Sequence, residues 1–436
     1  MSTFRSIKGT FDVLPYGSRS EGVQSVSSAS WVAAESVIRR VLNKFDFDEI
    51  RTPIIEPAEL IARGIGEHTD IVTKEMFAFS RGDDNYVLRP EITAPVIRAV
   101  LQHSMQQTRE VHRLFYMGPC FRAERPQKGR YRQFQQFGCE IIGSLSPAAD
   151  ADVILTMLAV YDAFGLSGYR LRVNSLGNPD SRKTYSDALR TYFASHKSTL
   201  SEASRNRLNE NPLRLLDTKI EQERALLVSA PRIADFLDDA DREHFEEVTQ
   251  YLDDRGVSYE IDPMLVRGLD YYTRTAFELE IDTLGAQNAL AGGGRYDLLA
   301  RELGSKTAVP AVGFAAGFER LLLALEAAGT GLNTLAKPDV YVISLGPAAG
   351  QFCFGLVQDA RAAGLRVSFD VQGRSMKAQM RDANKRGAGF VVIVGDNELA
   401  SGSGVIKNMA GGEEFTVLFH QIVPKLKELT DVPTTS

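Results

Sequence analysis

Apolar residues recur along the chain with two periods. Trp31, Ala34, Val37, Ile38, Val41 and Leu42 are spaced as one face of a helix and predict one over residues 25–44. The same period marks 151–164 and 321–328. Between these helices the pattern shortens to alternation. Residues 76–80 and 86–88 predict a hairpin around the polar stretch 81–85, and 169–174 and 271–280 predict strands. From 178 to 258 charged residues dominate helical patterns, broken at Asn209-Glu210-Asn211-Pro212, which predicts a helical insertion. After a linker at 331–337, near-continuous apolar runs at 340–345, 367–371 and 390–394 alternate with helical segments. A hairpin over 405–409 and 414–419 follows. That pattern predicts a separate α/β domain with a mixed sheet over 338–430.

The most informative stretch is 115–143, FYMGPCFRAERPQKGRYRQFQQFGCEIIG, read as two strands and a basic loop. Arg122 and Glu124 are two apart and share a face of the first strand. In the second, Phe134, Gln136, Gly138 and Glu140 share one face, and Gln135, Phe137, Cys139 and Ile141 the other. An arginine, two carboxylates and an amide beside a mobile cationic loop suit a ligand that is anionic at one end and donates hydrogen bonds at the other. A solvated hairpin with cross-strand ion pairs answers to the same spacing.

Further stretches concentrate polar groups at predicted turns. Leu88-Arg89-Pro90-Glu91-Ile92-Thr93 precedes a helix through Val100, with Thr93 as its expected cap and Glu91 placed to meet the helix dipole. LVRGLDYY (265–272) puts Arg267 beside a glycine turn, and AGGGRYD (291–297) leaves room for backbone to approach a flat ring. VGFAAGFER (312–320) enters a helix. A strand over 50–56 contains Pro53, which favours a sheet edge or an interface. Arg374, Lys377, Arg381 and Lys385 fall on one face of a C-terminal helix.

Composition narrows the function. A chain of 436 residues, 44% hydrophobic and 24% charged, has material for two or three ordinary globular domains. There is no membrane-length apolar run and no secretory h-region. Three scattered cysteines and six histidines make neither a disulfide framework nor a metal-ligand spacing, so no bound metal centre or prosthetic group is expected. The expected place is the cytoplasm. A net charge of −6 argues against general coating of nucleic acid but leaves a local RNA contact open.

FRAE with its basic loop and returning strand resembles motif 2 of class II aminoacyl-tRNA synthetases. ERPQKGRYRQF, GCE, LVRGLDYY, NPLRLLDTK and the opening KGTFDVLP resemble the histidyl-tRNA synthetases in particular. Helix 25–44 with Pro53 is similar to motif 1, and VGFAAGFER to motif 3. The chain has RPEIT where family members often have RPEGT, and YDL where YDG is common.

The resemblance, which runs through nearly the whole chain, implies a class II synthetase core over 1–330: an α+β catalytic domain on an antiparallel sheet, with the helical insertion. It implies an anticodon-binding domain over 338–430. It also implies a histidine–tRNA ligase using L-histidine, ATP with Mg²⁺, and tRNA(His), acting as a homodimer. By the same resemblance, Arg122 and Arg267 are catalytic, and Glu124 and Arg320 join them in binding ATP. Glu91, Thr93, Gln136, Glu140, Tyr271, Tyr272, Arg295 and Tyr296 bind histidine. Arg125, Gln127, Lys128 and Arg130 meet the tRNA acceptor end. The alternative is a non-catalytic paralogue that serves as regulatory subunit of ATP phosphoribosyltransferase; such paralogues generally lack the C-terminal domain. A class II synthetase for another amino acid, and a plain RNA-binding protein, fit fewer of these motifs.

Overall fold

The computed structural model describes residues 4–17, 23, 26–67, 69–330, 332 and 337–431. The start expected for the first helix, Ser25, and all of the expected linker except 332 and 337 lie outside them. The chain divides into Met1–Asn333 and Thr334–Ser436.

The first unit is built on an eight-stranded sheet. Its spatial order is Asp48–Glu49, His112–Phe121, Gln133–Ile142, Ala311–Gly317, Ala289–Arg295, Thr273–Ile281, Tyr169–Ser175 and Glu260–Ile261. Neighbours pair antiparallel except at the two edges, where the two-residue strands pair parallel. One face carries the main core. Trp31, Ile38 and Leu42 of Ser28–Lys44 and Ile154, Met157 and Tyr161 of Pro147–Asp162 pack there on Phe137, Cys139 and Ile141. Ser27 caps the first of these helices through the N–H of Ser30, at 3.1 Å.

Three expectations are corrected. Residues 50–56 do not form one strand: Asp48–Glu49 joins the large sheet, Ile55–Pro57 joins a three-stranded sheet, and Pro53 lies between. A proline cannot donate to a ladder, so the break falls there. The first strand of the 115–143 hairpin ends at Phe121, so Arg122 and Glu124 lie past it, with one further bond from the N–H of Arg122 to the carbonyl of Arg132 (2.9 Å). The insertion holds a hydrophobic cluster of its own from Tyr185 to Leu237. The last helix of the expected span, Asp239–Asp254, instead buries Val248 and Leu252 in the main core.

The second unit has a five-stranded mixed sheet ordered Val367–Phe369, Val340–Ser344, Phe390–Val394, Ser403–Asn408, Glu414–Leu418. The first three are parallel and the last three antiparallel. The expected basic stripe is shortened. Helix Met376–Arg386 begins after Arg374, whose guanidinium is tied to Asp370 and Asp382, while Lys377, Arg381 and Lys385 are exposed.

Candidate active site

A cleft opens on the sheet face opposite the main core. Register puts Gly118 across from Gln136 and Tyr116 across from Gly138, and Gly313 across from Glu140 on the other side. Alternation then aims Gln136 and Glu140 away from the main core while Phe137 and Cys139 enter it.

Glu140 is 1% exposed. Its Oε1 accepts from the hydroxyls of Thr93 (2.8 Å) and Tyr116 (3.0 Å), and its Oε2 from the hydroxyl of Tyr296. Burial pushes its carboxyl from 4.5 to about 8, against the pull of those donors. A Cβ on Gly313 would lie 1.5 Å from Oε2, so only glycine admits the carboxylate here. Tyr271, Tyr272 and Tyr296 form an aromatic wall beside it, with ring centroids 4.6 to 6.4 Å apart.

Glu91 is buried, and its two oxygens accept the N–H groups of Thr93 (2.6 Å) and Ala94 (2.9 Å). The first N–H groups of helix Thr93–Gln102 are therefore met by the Glu91 carboxylate, two residues before the expected Thr93. Thr93 instead turns its hydroxyl to Glu140. Gln136 is also buried, with its carbonyl oxygen 3.4 Å from the Cys120 thiol.

At the other end of the cleft three arginines converge with carboxylates. Arg122 donates to the carbonyl of Pro90 (3.0 Å) and lies over the Phe134 ring. Arg267 pairs with Glu278, and its buried Nε has no hydrogen-bond partner among the described residues. Its guanidinium lies flat on the strand at Gly292, where a Cβ would come within 2.4 Å of it. Arg320 donates to the carbonyls of Gly129 (3.0 Å) and Ala289 (2.8 Å). Burial, with Arg122 and Arg130 nearby, lowers its pKa. Glu319 accepts the N–H of Gln135 at 2.9 Å, and burial pushes it to about 8.

Two site expectations change. Arg295 does not line the cleft: the ladder slips register between Gly294 and Arg295. Its fully buried guanidinium binds Asp150, Asp297 (3.1 Å) and the carbonyl of Ser144 (2.8 Å). Asp150 also meets His244 at 3.3 Å. The basic loop closes as a tight turn, with the N–H of Arg130 on the carbonyl of Gln127 (2.9 Å) and Gly129 at φ 73°. Arg125, Gln127 and Lys128 are exposed on it, whereas Arg130 pairs with Glu124 inside the cleft. The opening segment buttresses this loop, as the carbonyl of Gly9 accepts the N–H of Arg132 at 2.7 Å.

Tyr116, Glu278 and Glu319 had not been singled out, nor had Arg89, which donates to Thr52 and Pro119 at 2.9 Å. Tyr116 was within reach of the alternation rule, since positions 116, 118, 120 and 122 share a face.

A cleft that sets arginines among carboxylates over an antiparallel sheet, with no phosphate loop in the chain, is the arrangement of the class II aminoacyl-tRNA synthetases. The family model for histidyl-tRNA synthetase matches residues 22–321, and that for an anticodon binding domain matches 339–429. The histidine–tRNA ligase of Chlorobium phaeovibrioides is 48% identical, over 98% of this chain and 99% of its own. Apo histidyl-tRNA synthetase of S. aureus superposes with a TM-score of 0.81 at 35% identity, over 97% of this chain and 100% of that one. A Bacillus halodurans protein titled ATP phosphoribosyltransferase regulatory subunit/histidyl-tRNA synthetase shares the fold. Its TM-score is 0.63 at 23% identity, over 91% of this chain and 100% of that one. The chain belongs to the histidyl-tRNA synthetase family.

Proposed function

We propose that this protein is a histidine–tRNA ligase, with catalysis in residues 1–330 and anticodon binding in 338–430. The histidine carboxylate attacks the α-phosphate of ATP. The new C–O–P bond forms as the bond to the β-phosphate oxygen breaks, and pyrophosphate leaves with that electron pair. A terminal hydroxyl of tRNA(His) then attacks the activated carbonyl and AMP leaves. Both reactants of the first step are anionic, so approach needs fixed positive charge. Arg122 and Arg267 supply it at the α-phosphate, and the unpartnered Nε of Arg267 supports that role. Arg320 holds the outer phosphates and Glu124 the adenine side.

The observation that carries the reading is Glu140. Once ionised, the Glu140 carboxyl offers about four lone-pair sites, and three hydroxyls occupy three of them. One site on Oε2 remains for one N–H, which matches the single donor of a neutral imidazole. Tyr272 donates to the other ring nitrogen, and Tyr271 and Tyr296 wall the ring. Glu91, Gln136 and the Thr93 oxygen take the α-ammonium group.

Mg²⁺ arrives with ATP as part of the substrate. No group of three or more metal-ligating side chains occurs among the described residues, and Mg²⁺ on phosphates needs only one or two carboxylates. Arg125, Gln127 and Lys128 read the acceptor end, with Arg130 at the cleft mouth, and Lys377, Arg381 and Lys385 offer charge to the anticodon. No described helix is long and apolar enough to cross a membrane. Three free buried cysteines fit a reducing cytoplasm. The edge position of Asp48–Glu49 and the exposure of Ile54 and Ile55 support a homodimer through the Pro53 region.

The test is exchange of labelled pyrophosphate into ATP without tRNA, screened against all twenty amino acids. Exchange with histidine alone is expected. Exchange with another amino acid would overturn the pocket assignment, and none at all from folded protein would favour the regulatory-subunit reading.

A further inference from the structure

The motif NPLRLLDTK sits in the insertion, far along the chain from every residue assigned above. Asn211 caps the short helical turn Pro212–Asp217 through the N–H of Leu213 at 3.2 Å. Its amide nitrogen is turned the other way and donates to Asp270 Oδ1 at 3.0 Å. Arg214 Nη2 reaches both oxygens of the same carboxylate, at 3.2 and 3.3 Å. From helix Pro179–Ala194, Arg182 donates to the carbonyl of Tyr272 at 2.6 Å. Asp270 lies between Arg267 and Tyr272, in a loop with no ladder of its own. Its N–H donates to the carbonyl of Ile65 at 3.1 Å and its carbonyl accepts from Arg182 at 3.4 Å, with Gly66 packed so tightly that a Cβ there would come within 2.6 Å of Oδ2.

We infer that Asn211, Arg214 and Arg182 are positioning residues: they latch the insertion onto Asp270 and Tyr272 and so hold Arg267 and Tyr272 in place for histidine activation. The inference rests on the roles proposed above for Arg267 and Tyr272. A loop without regular structure opens easily unless neighbours hold it, and a displacement of about 1 Å at reacting groups costs on the order of 10²-fold in rate. The Arg214–Asp270 side chains are 21% and 33% exposed, so water screens them less than a surface pair. Arg320 hangs on Gly129 and Ala289, outside the latch, so ATP binding through it stays intact.

The full-length variants Arg214→Ala, Asp270→Asn and their double combination are compared with the parent in histidine-dependent pyrophosphate exchange. Each single change should lower kcat/KM for histidine by roughly 10- to 100-fold. KM for ATP should move by less than about threefold, and the double variant should be no worse than the weaker single one. Arg214→Lys, which keeps one donor, should recover part of the loss. Losses that multiply in the double variant, or a rise in KM for ATP as large as that in KM for histidine, would overturn the latch. Asn211→Ala removes the bond to Asp270 and the cap on Leu213 but keeps both charges of the Arg214–Asp270 pair, and serves if the charged variants do not fold. Amide hydrogen exchange gives a readout independent of activity. Faster exchange confined to 265–272, with the strand His112–Phe121 unchanged, supports the latch even if the parent activates no histidine; an unchanged loop refutes it.

Discussion

The two ends of the cleft solve recognition in different ways. At the end proposed for histidine the Glu140 carboxyl is sealed from water and already meets three hydroxyls. At the end proposed for phosphate the side chains of Arg122 and Arg267 remain 22% and 18% exposed, held by a carbonyl and by Glu278. A desolvated, nearly saturated acceptor rewards one matching donor and penalises every mismatch, which gives selectivity. Half-open cations exchange weak partners for phosphate oxygens, which gives binding and rate with little discrimination.

The largest effect should come from the phosphate end. Arg267→Ala should reduce histidine-dependent pyrophosphate exchange by about 10²- to 10³-fold, with histidine binding by calorimetry much less affected. Parallel loss of binding would erase the distinction between the ends. Glu140→Gln should raise KM for histidine by roughly 10- to 100-fold and leave KM for ATP nearly unchanged. Equal loss of both would remove the histidine assignment.

The same variant sharpens the contrast through pH. Burial raises the Glu140 carboxyl from 4.5 to about 8, so the folded state keeps a proton that the unfolded chain gives up. That contribution to stability is full below 4.5 and is lost as pH rises through about 8. Glutamine cannot ionise, so the melting temperature of Glu140→Gln relative to the parent should climb between these values and level off above them. Histidine binding should run the other way in the parent, tightening as the carboxylate forms.

Smaller effects follow. Tyr116→Phe removes one donor to Glu140 and should cost about 1 kcal/mol, roughly fivefold in KM for histidine, without changing ATP. Arg125→Ala should slow tRNA charging by a few-fold, as one lost phosphate contact does, while pyrophosphate exchange stays unaltered. A matching fall in exchange would move the loop from tRNA to ATP.

Much of this site was legible because strand alternation is a local rule. It set Gln136 and Glu140 against Phe137, Cys139 and Ile141 correctly, and applied backward from Arg122 it reaches Tyr116. The resemblance put Arg295 at histidine, whereas a slip in the ladder turns its side chain toward Asp150, 145 residues away in sequence. The glycine run was read as room for a ligand, whereas at Gly292 the space is taken by the Arg267 guanidinium. The insertion was bounded by its polar texture, yet the helix Asp239–Asp254 shares that texture on one face and gives its apolar face to the main core.

By itself the sequence determined the order of elements, the faces of its strands, the two-unit division and the family, because periodicity and motif spacing depend on neighbours a few residues apart. The tertiary structure alone decided what each buried charge meets. Glu140 with Tyr116 and Tyr296, Arg295 with Asp150, and Asp270 with Arg214 are brought together by sheet order and helix packing. The cost of burying a charge is settled by whichever partner the fold delivers, wherever that partner lies in the chain.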